Sequence, residues 1–204
     1  LINQMTVKKT VEFAKECGIV NSIPPYPSIA LGSADLSLIE MVQAFSMFPG
    51  RGFNVKPYYI SRIEDRNGNV LASFRTQTKE VITEGESYIM TKMLQGVVDF
   101  GTGSSLRWAY GVNNEVAGKT GTTNEFVDAW FMGFSPELVT GVWTGFDNPR
   151  TLGKGEVGSR AALPAWIEYM GAALEKYKQD EYQVPKGIVF VRVDPKTGAL
   201  AGSA

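Results

Sequence analysis

The sequence predicts a mixed α+β fold in which an antiparallel sheet is flanked by helices. Two observations carry this. Three strand-length runs follow one another at 115–122, 128–134 and 138–146, and only Ser135-Pro136-Glu137 separates the last two, a connection so tight that they pair antiparallel. Around them, residues 6–17, 37–48, 84–100 and 162–177 place apolar residues at helical spacing.

Taken in order, residues 6–17 (TVKKTVEFAKEC) set Val7, Val11, Phe13, Ala14 and Cys17 mostly on one helical face, and Gly18 stops the run. Cys17 reads as a small core residue at a helix end, since free cysteine packs as a small hydrophobe. Residues 21–27 (NSIPPYP) are irregular, because proline removes donors and restricts its predecessor. Residues 37–48 (SLIEMVQAFSMF) form an amphipathic helix that opens on the capping-box pair Ser37 and Glu40 and ends at Pro49-Gly50-Arg51-Gly52. Met41 and Met47 read as core filler. The runs 58–64 and 70–75 flank Asp65-Arg66-Asn67-Gly68, whose Asn-Gly is a strong hairpin signal; this hairpin is expected to be a peripheral flap.

Residues 84–100 read as a long buried helix, with Thr83 able to cap it and Glu84 and Glu86 favourably placed in its first turn. It stops at Gly101-Thr102-Gly103. The last helix, 162–177, carries Trp166, Ile167, Met170 and Leu174 on one face. Residues 187–193 and a short run after Lys196-Thr197-Gly198 read as a final strand pair, an add-on to the rest. Residues 1–178 therefore form one domain body and 179–204 a C-terminal extension with short strands. There is no internal repeat. The chain opens on Leu1-Ile2-Asn3-Gln4 and closes on Ala201-Gly202-Ser203-Ala204, and reads as a piece of a longer protein.

Composition narrows the chemistry. Of 204 residues, 44% are hydrophobic and 20% charged, enough for a core, and the net charge of -1 gives no electrostatic case for nucleic acid. One cysteine and no histidine exclude an internal disulfide, argue against a zinc site, and exclude a Ser-His-Asp triad. Any nucleophile must be activated by lysine, carboxylate or tyrosine.

Lys119-Thr120-Gly121 is followed by Thr122 and Thr123 at the end of the first strand-like run. The same triplet recurs at Lys196-Thr197-Gly198 behind Asp194-Pro195, where it reads as a turn, so the bare triplet means little. In the strand, alternation points Lys119 and Gly121 to one face and Thr120 and Thr122 to the other. Gly121 lets another backbone approach. A lysine beside hydroxyls on a free strand edge makes a carboxylate site, and the edge N–H groups can bond an extended peptide or serve as an oxyanion donor. Nearby, at least one of Trp130 and Phe131 faces the core. Asp128 pairs with a cation or caps the turn after Asn124. Trp108 and Tyr110 are candidate substrate contacts in a loop near the site, and Arg160 is a helix-start residue.

Lys-Thr-Gly forms a motif set with Ser-x-x-Lys and a second serine motif in penicillin-binding proteins and serine β-lactamases. Here Ala30-Leu31-Gly32-Ser33, Gly101-Thr102-Gly103, 117–123 (AGKTGTT), 128–136 (DAWFMGFSP) and Gly145-Phe146-Asp147 follow in order. Over residues 5–175 they resemble the second half of the transpeptidase domain of a class A, bifunctional penicillin-binding protein. The resemblance implies a partial penicillin-binding transpeptidase or serine β-lactamase-like fold, a three-layer α/β arrangement of which three central-type strands are assignable here. It implies a D,D-transpeptidase that cross-links peptidoglycan stem peptides through a serine acyl-enzyme at D-Ala-D-Ala and is trapped by β-lactam antibiotics. Lys119 then holds the network of the second motif's serine, and the backbone N–H of Thr122 is an oxyanion donor. Thr120, Gly121, Thr122 and Thr123 bind substrate. No cofactor or metal is implied. The parent is expected at the outer face of the bacterial cytoplasmic membrane, with an upstream glycosyltransferase domain and an anchor outside this chain.

No serine in the sequence has a lysine three positions on, and Ser-x-Asn is absent; Ser33-Ala34-Asp35 comes closest but falls in the Ala-Leu-Gly-Ser segment. The chain is therefore expected to supply the Lys-Thr-Gly wall alone, to be inactive by itself, and to need the missing N-terminal part of its own domain as partner, leaving apolar surface exposed. Two other readings stay open. A serine β-lactamase needs a water-activating carboxylate, and none stands out. A non-catalytic peptidoglycan- or penicillin-recognising module binds peptide along the strand edge without chemistry.

Overall fold

The computed structural model describes residues 2–177, 180–194 and 196–200. After the short α1 (Ile2–Met5), the Thr6 hydroxyl caps α2 (Val7–Glu16) by accepting from the Lys9 N–H, and Cys17 closes it. Cys17 is buried, with its sulfur 3.9 Å from that of Met47, which is buried too. Both fill core, as the packing habits of cysteine and methionine predict. A 3-10 turn, Pro27–Leu31, follows the irregular proline segment.

The capping box of Ser37 and Glu40 opens α3 (Leu38–Phe45). Glu40 also reaches outside its helix. One carboxylate oxygen accepts from Val20 N (2.8 Å) and Asn21 N (2.7 Å), the other from Ser37 N (2.9 Å) and the Ser37 hydroxyl (2.6 Å). The proline-rich loop is thereby pinned to the helix start. The helix ends three residues earlier than its periodicity predicts. Ser46 donates its hydroxyl back to the Gln43 carbonyl at 2.6 Å and accepts Val55 N at 2.9 Å, which turns the chain into a strand.

That strand, β1 (Phe53–Lys56), pairs antiparallel with β4 (Gln77–Glu80), a ladder the sequence did not reveal. Between them lies the expected hairpin of β2 (Arg62–Glu64) and β3 (Val70–Ser73), with a register irregularity at Ile63/Glu64. Its turn is held by Asp65, whose carboxylate accepts Asn67 N and Asn69 N, and Gly68 takes the positive φ of 84° that the turn requires.

Thr83 and Glu86 complete a capping box on α4 (Glu84–Asp99). The helix is two-faced rather than buried throughout: Leu94 and Val98 are buried, whereas Ile89 and Met93 are 52% and 63% exposed. A short α5 (Ser105–Trp108) leads to the main sheet of β5 (Ala117–Thr122), β6 (Ala129–Phe134) and β7 (Val139–Thr144), antiparallel in that order. Then come α6 (Gly158–Ala161) and α7 (Leu163–Leu174).

The sheet separates two layers of helix. On one face Ala129, Phe131 and Val142 pack with Val98, Leu106, Trp166 and Met170, and the Phe131 and Trp166 rings meet edge to face at 5.1 Å. On the other, Ala117, Phe134 and Val139 pack with Phe45, Phe48 and Leu94. Helix α4 serves both faces because it runs beside β5. Tyr182 closes the second cluster from the C-terminal side, its ring against Phe134 and its hydroxyl donating to the Phe134 carbonyl at 3.2 Å.

Of the expected final strand pair, part of the second run, 201–204, lies outside the described residues. A single bridge, Val193 to Leu200, joins the two runs. Val189, Phe190 and Val191 are 79%, 74% and 59% exposed, and the run meets no neighbouring strand among the described residues, so strand-forming composition alone does not make a ladder. The second Lys-Thr-Gly is the turn it reads as: the Asp194 carboxylate accepts Lys196 N and Thr197 N, and Gly198 N bonds the Asp194 carbonyl.

Candidate active site

Strand β5 lies at the edge of the main sheet, with β6 as its strand partner. Register pairs Lys119 with Met132 and Gly121 with Trp130. Trp130 in turn pairs with Trp143 on β7, the two indoles 6.3 Å apart. These side chains face α3 and the loop before it across a cavity of about 710 Å³, with Leu36, Leu38, Met41 and Phe45 on the far wall. All five residues from Lys119 to Thr123 line that cavity. Of the two aromatics at the head of β6, Phe131 is fully buried, while Trp130 lines the cavity.

Lys119 is exposed and donates its ammonium to the Thr120 carbonyl at 2.8 Å. The Thr120 hydroxyl lies 2.6 Å from that of Thr102, in the loop after α4. The Thr122 hydroxyl accepts Gly158 N at 3.0 Å, joining β5 to α6. This approach needs a glycine: a Cβ at 158 would lie 2.6 Å from the Gly121 carbonyl oxygen and closer still to that of Trp130. Thr123 and Asp128 grip each other across the turn that follows. Asp128 N donates to the Thr123 hydroxyl at 2.7 Å, Thr123 N to the Asp128 carbonyl at 3.0 Å, and the Thr123 hydroxyl to the Asp128 carboxylate at 3.2 Å. Asp128 thus caps this turn, one of the two roles its sequence position suggested, and its remaining oxygen takes an indole N–H rather than a cation.

Some sequence candidates lie elsewhere. Trp108 and Tyr110 are 77% and 48% exposed and are not among the cavity's lining residues. Arg160 sits inside α6 rather than at its start. Among the described residues, Ser37 is the serine that lines the cavity, and its hydroxyl is engaged with Glu40 in the capping box. Glu40 itself is a held carboxylate: burial works to raise its pKa, but the hydrogen bonds from Ser37, Asn21 and Val20 outweigh this and bring it down to about 2. It is unsuited to taking a proton at neutral pH.

Sequence reasoning gave no role to Thr102, Gly158 or Trp143. Thr102 at least carries a signal, because it stands between two glycines directly after a helix. Nothing in the pattern around Gly158 announces its contact with β5.

Residues 25–149 match the family described as Penicillin binding protein transpeptidase domain. The chain belongs to that family. Among curated relatives it is 39% identical to penicillin-binding protein 1A of Aquifex aeolicus over 201 residues, covering 98% of this chain and 27% of that protein. It is 36% identical to penicillin-binding protein 2D of Bacillus subtilis, covering 95% of this chain and 28% of that protein. Among solved structures, penicillin-binding protein 1A from Haemophilus influenzae superposes with a TM-score of 0.89 at 28% identity, over 99% of this chain and 36% of that one. The class A resemblance and the partial transpeptidase fold read from the sequence both stand. The chain spans between a quarter and a third of the length of the curated relatives named here.

Proposed function

We propose that this chain forms the Lys-Thr-Gly wall of a peptidoglycan D,D-transpeptidase site whose nucleophile lies on polypeptide outside these 204 residues. One observation carries the reading: Lys119, Thr120, Gly121, Thr122 and Thr123 lie together on a free sheet edge above an apolar-walled cavity that offers no available serine among the described residues.

The chemistry suits that arrangement. Lys119 supplies the positive charge for a terminal carboxylate and for the hydroxyl network of an incoming serine. Thr120 and Thr122 present hydroxyl groups along the same edge, and the Thr122 backbone N–H is the oxyanion donor. The serine oxygen attacks the carbonyl carbon of the penultimate D-Ala. The amide C–N bond breaks, the terminal D-Ala leaves with a proton on its nitrogen, and an acyl ester remains. The amine of a second stem peptide then attacks the ester, and the serine oxygen recovers its proton. A β-lactam enters the first step, and its opened ring has no free leaving group to depart. No cofactor is called for. The site of action is the extracytoplasmic face of the bacterial membrane; among the described residues no helix is long and apolar enough to cross a membrane.

The experiment is an intact mass after brief incubation with benzylpenicillin, on the full-length protein and on this chain alone. A single adduct on the full-length protein, mapped to a serine in Ser-x-x-Lys, and no adduct on the 204-residue chain are expected. An adduct on the short chain refutes the division of the site. No adduct on a folded full-length protein favours the non-catalytic recognition module.

A further inference from the structure

We propose that Thr102 is a positioning residue that sets the Thr120 hydroxyl proton toward the carboxylate of the ligand. This rests on the reading above, in which Thr120 binds that carboxylate.

The loop that carries Thr102 is built tightly onto the end of α4. Gly101 N bonds the carbonyls of Gly96 and Val97, both at 3.1 Å, and Gly103 N bonds that of Val97 at 3.0 Å. A Cβ on Gly101 would lie 2.8 Å from the Val97 Cα, so a side chain there would displace the turn. Two glycines thus wrap the chain around the helix end and leave Thr102 facing β5. Its hydroxyl oxygen lies 2.6 Å from that of Thr120, the short distance of a good O–H···O bond, and either group can be the donor.

The ligand decides the direction. A hydroxyl has one proton and two lone pairs, and a carboxylate only accepts. If Thr120 gave its proton to Thr102, an arriving carboxylate would face oxygen lone pairs. With Thr102 as donor, the Thr120 proton is free for the anion. The chain Thr102 O–H to Thr120 O–H to carboxylate is then polarised along its length. Lys119 projects from the other face of β5 and bonds the Thr120 carbonyl at 2.8 Å, so it does not compete for the Thr120 hydroxyl.

The second Lys-Thr-Gly shows the contrast. Thr197 donates its hydroxyl to the carboxylate of Asp194 in its own turn at 3.0 Å, so that proton is already used. In that turn the hydroxyl proton is committed to the aspartate, whereas the Thr120 proton is left for a ligand once Thr102 donates.

The test uses full-length protein and compares acylation rate constants for benzylpenicillin and its methyl ester, which lacks the anion. The quantity read is the preference for acid over ester. Thr102→Val, nearly isosteric at an exposed position, is expected to cut that preference about tenfold, roughly the effect of one hydrogen bond to a charged group. Thr102→Ser, which keeps the proton, should hold it within about twofold, while Thr120→Val should abolish it. An unchanged preference in Thr102→Val, or a serine variant as impaired as the valine, overturns the proposal while leaving the role of Thr120 standing. A preference that survives Thr120→Val removes the carboxylate reading itself, and this proposal with it.

Discussion

Trp143 donates its indole N–H to the Asp128 carboxylate at 2.8 Å, tying β7 to the turn that follows β5. The other carboxylate oxygen and the backbone of Asp128 hold Thr123, so one side chain braces the exit of the Lys-Thr-Gly strand from two directions. Asp128→Ala removes both side-chain bonds and is expected to cost about 1–2 kcal/mol, the range for hydrogen bonds to a charged group at a half-exposed site. Asp128→Asn keeps an acceptor for the indole and should cost less than half as much. Urea denaturation followed by tryptophan fluorescence measures both; equal losses would show that the Trp143 bond contributes nothing.

Glu40 gives the fold an acid limit. Its folded pKa of about 2 lies below the ordinary carboxylate value of about 4.3, so its contribution is fully present above the latter and is lost as pH falls toward the former. Glu40→Gln should be destabilised at pH 7, because an amide cannot accept all four hydrogen bonds that Val20, Asn21 and Ser37 donate. Melting temperatures taken between pH 5 and pH 2 should fall less steeply in the variant than in the wild type. Parallel curves would assign the acid sensitivity to other carboxylates.

The Cys17 thiol is pushed up to about 11 by burial and by the neighbouring Glu16, against a smaller opposing effect of Lys79. The thiolate is the reactive form. Native protein at pH 8 is expected to resist iodoacetamide, and full labelling should follow unfolding in urea. Rapid labelling of the native protein would place Cys17 outside the core.

Gly158→Ala sets a methyl group against two backbone carbonyls that have no room to give, those of Gly121 and Trp130. The expected loss is at least about 2 kcal/mol, toward the upper part of the range for overpacking. In the full-length protein it should also slow penicillin acylation, since α6 then moves off Thr122. A stable variant with unaltered acylation would show that the Gly158–Thr122 bond does not shape the site.

Much of the fold was legible locally. Ser37 with Glu40 and Thr83 with Glu86 marked two helix starts, because a capping box is complete within four residues. Asp65 to Asn69 marked a hairpin for the same reason. Ser135-Pro136-Glu137 left β6 and β7 no choice but to pair antiparallel. Within the site, alternation along β5 correctly set Lys119 on the face opposite Thr120. By contrast, the helix at 37–48 was overextended, since its apolar rhythm continues while Ser46 takes the chain elsewhere. The strand composition of 187–193 finds only the single bridge from Val193 to Leu200 among the described residues.

The sequence by itself determined which residues could bind a carboxylate, on what kind of element, and that no Ser-x-x-Lys accompanies them, because composition, alternation and capping are short-range properties. Only the tertiary structure decided which partners the hydroxyl groups of each Lys-Thr-Gly copy meet. Thr120 meets a hydroxyl 18 residues away and Thr122 a backbone amide 36 residues away, while Thr197 meets the aspartate of its own turn. Those partners are selected by how helices pack on the two faces of the sheet, and no spacing along one strand encodes that packing.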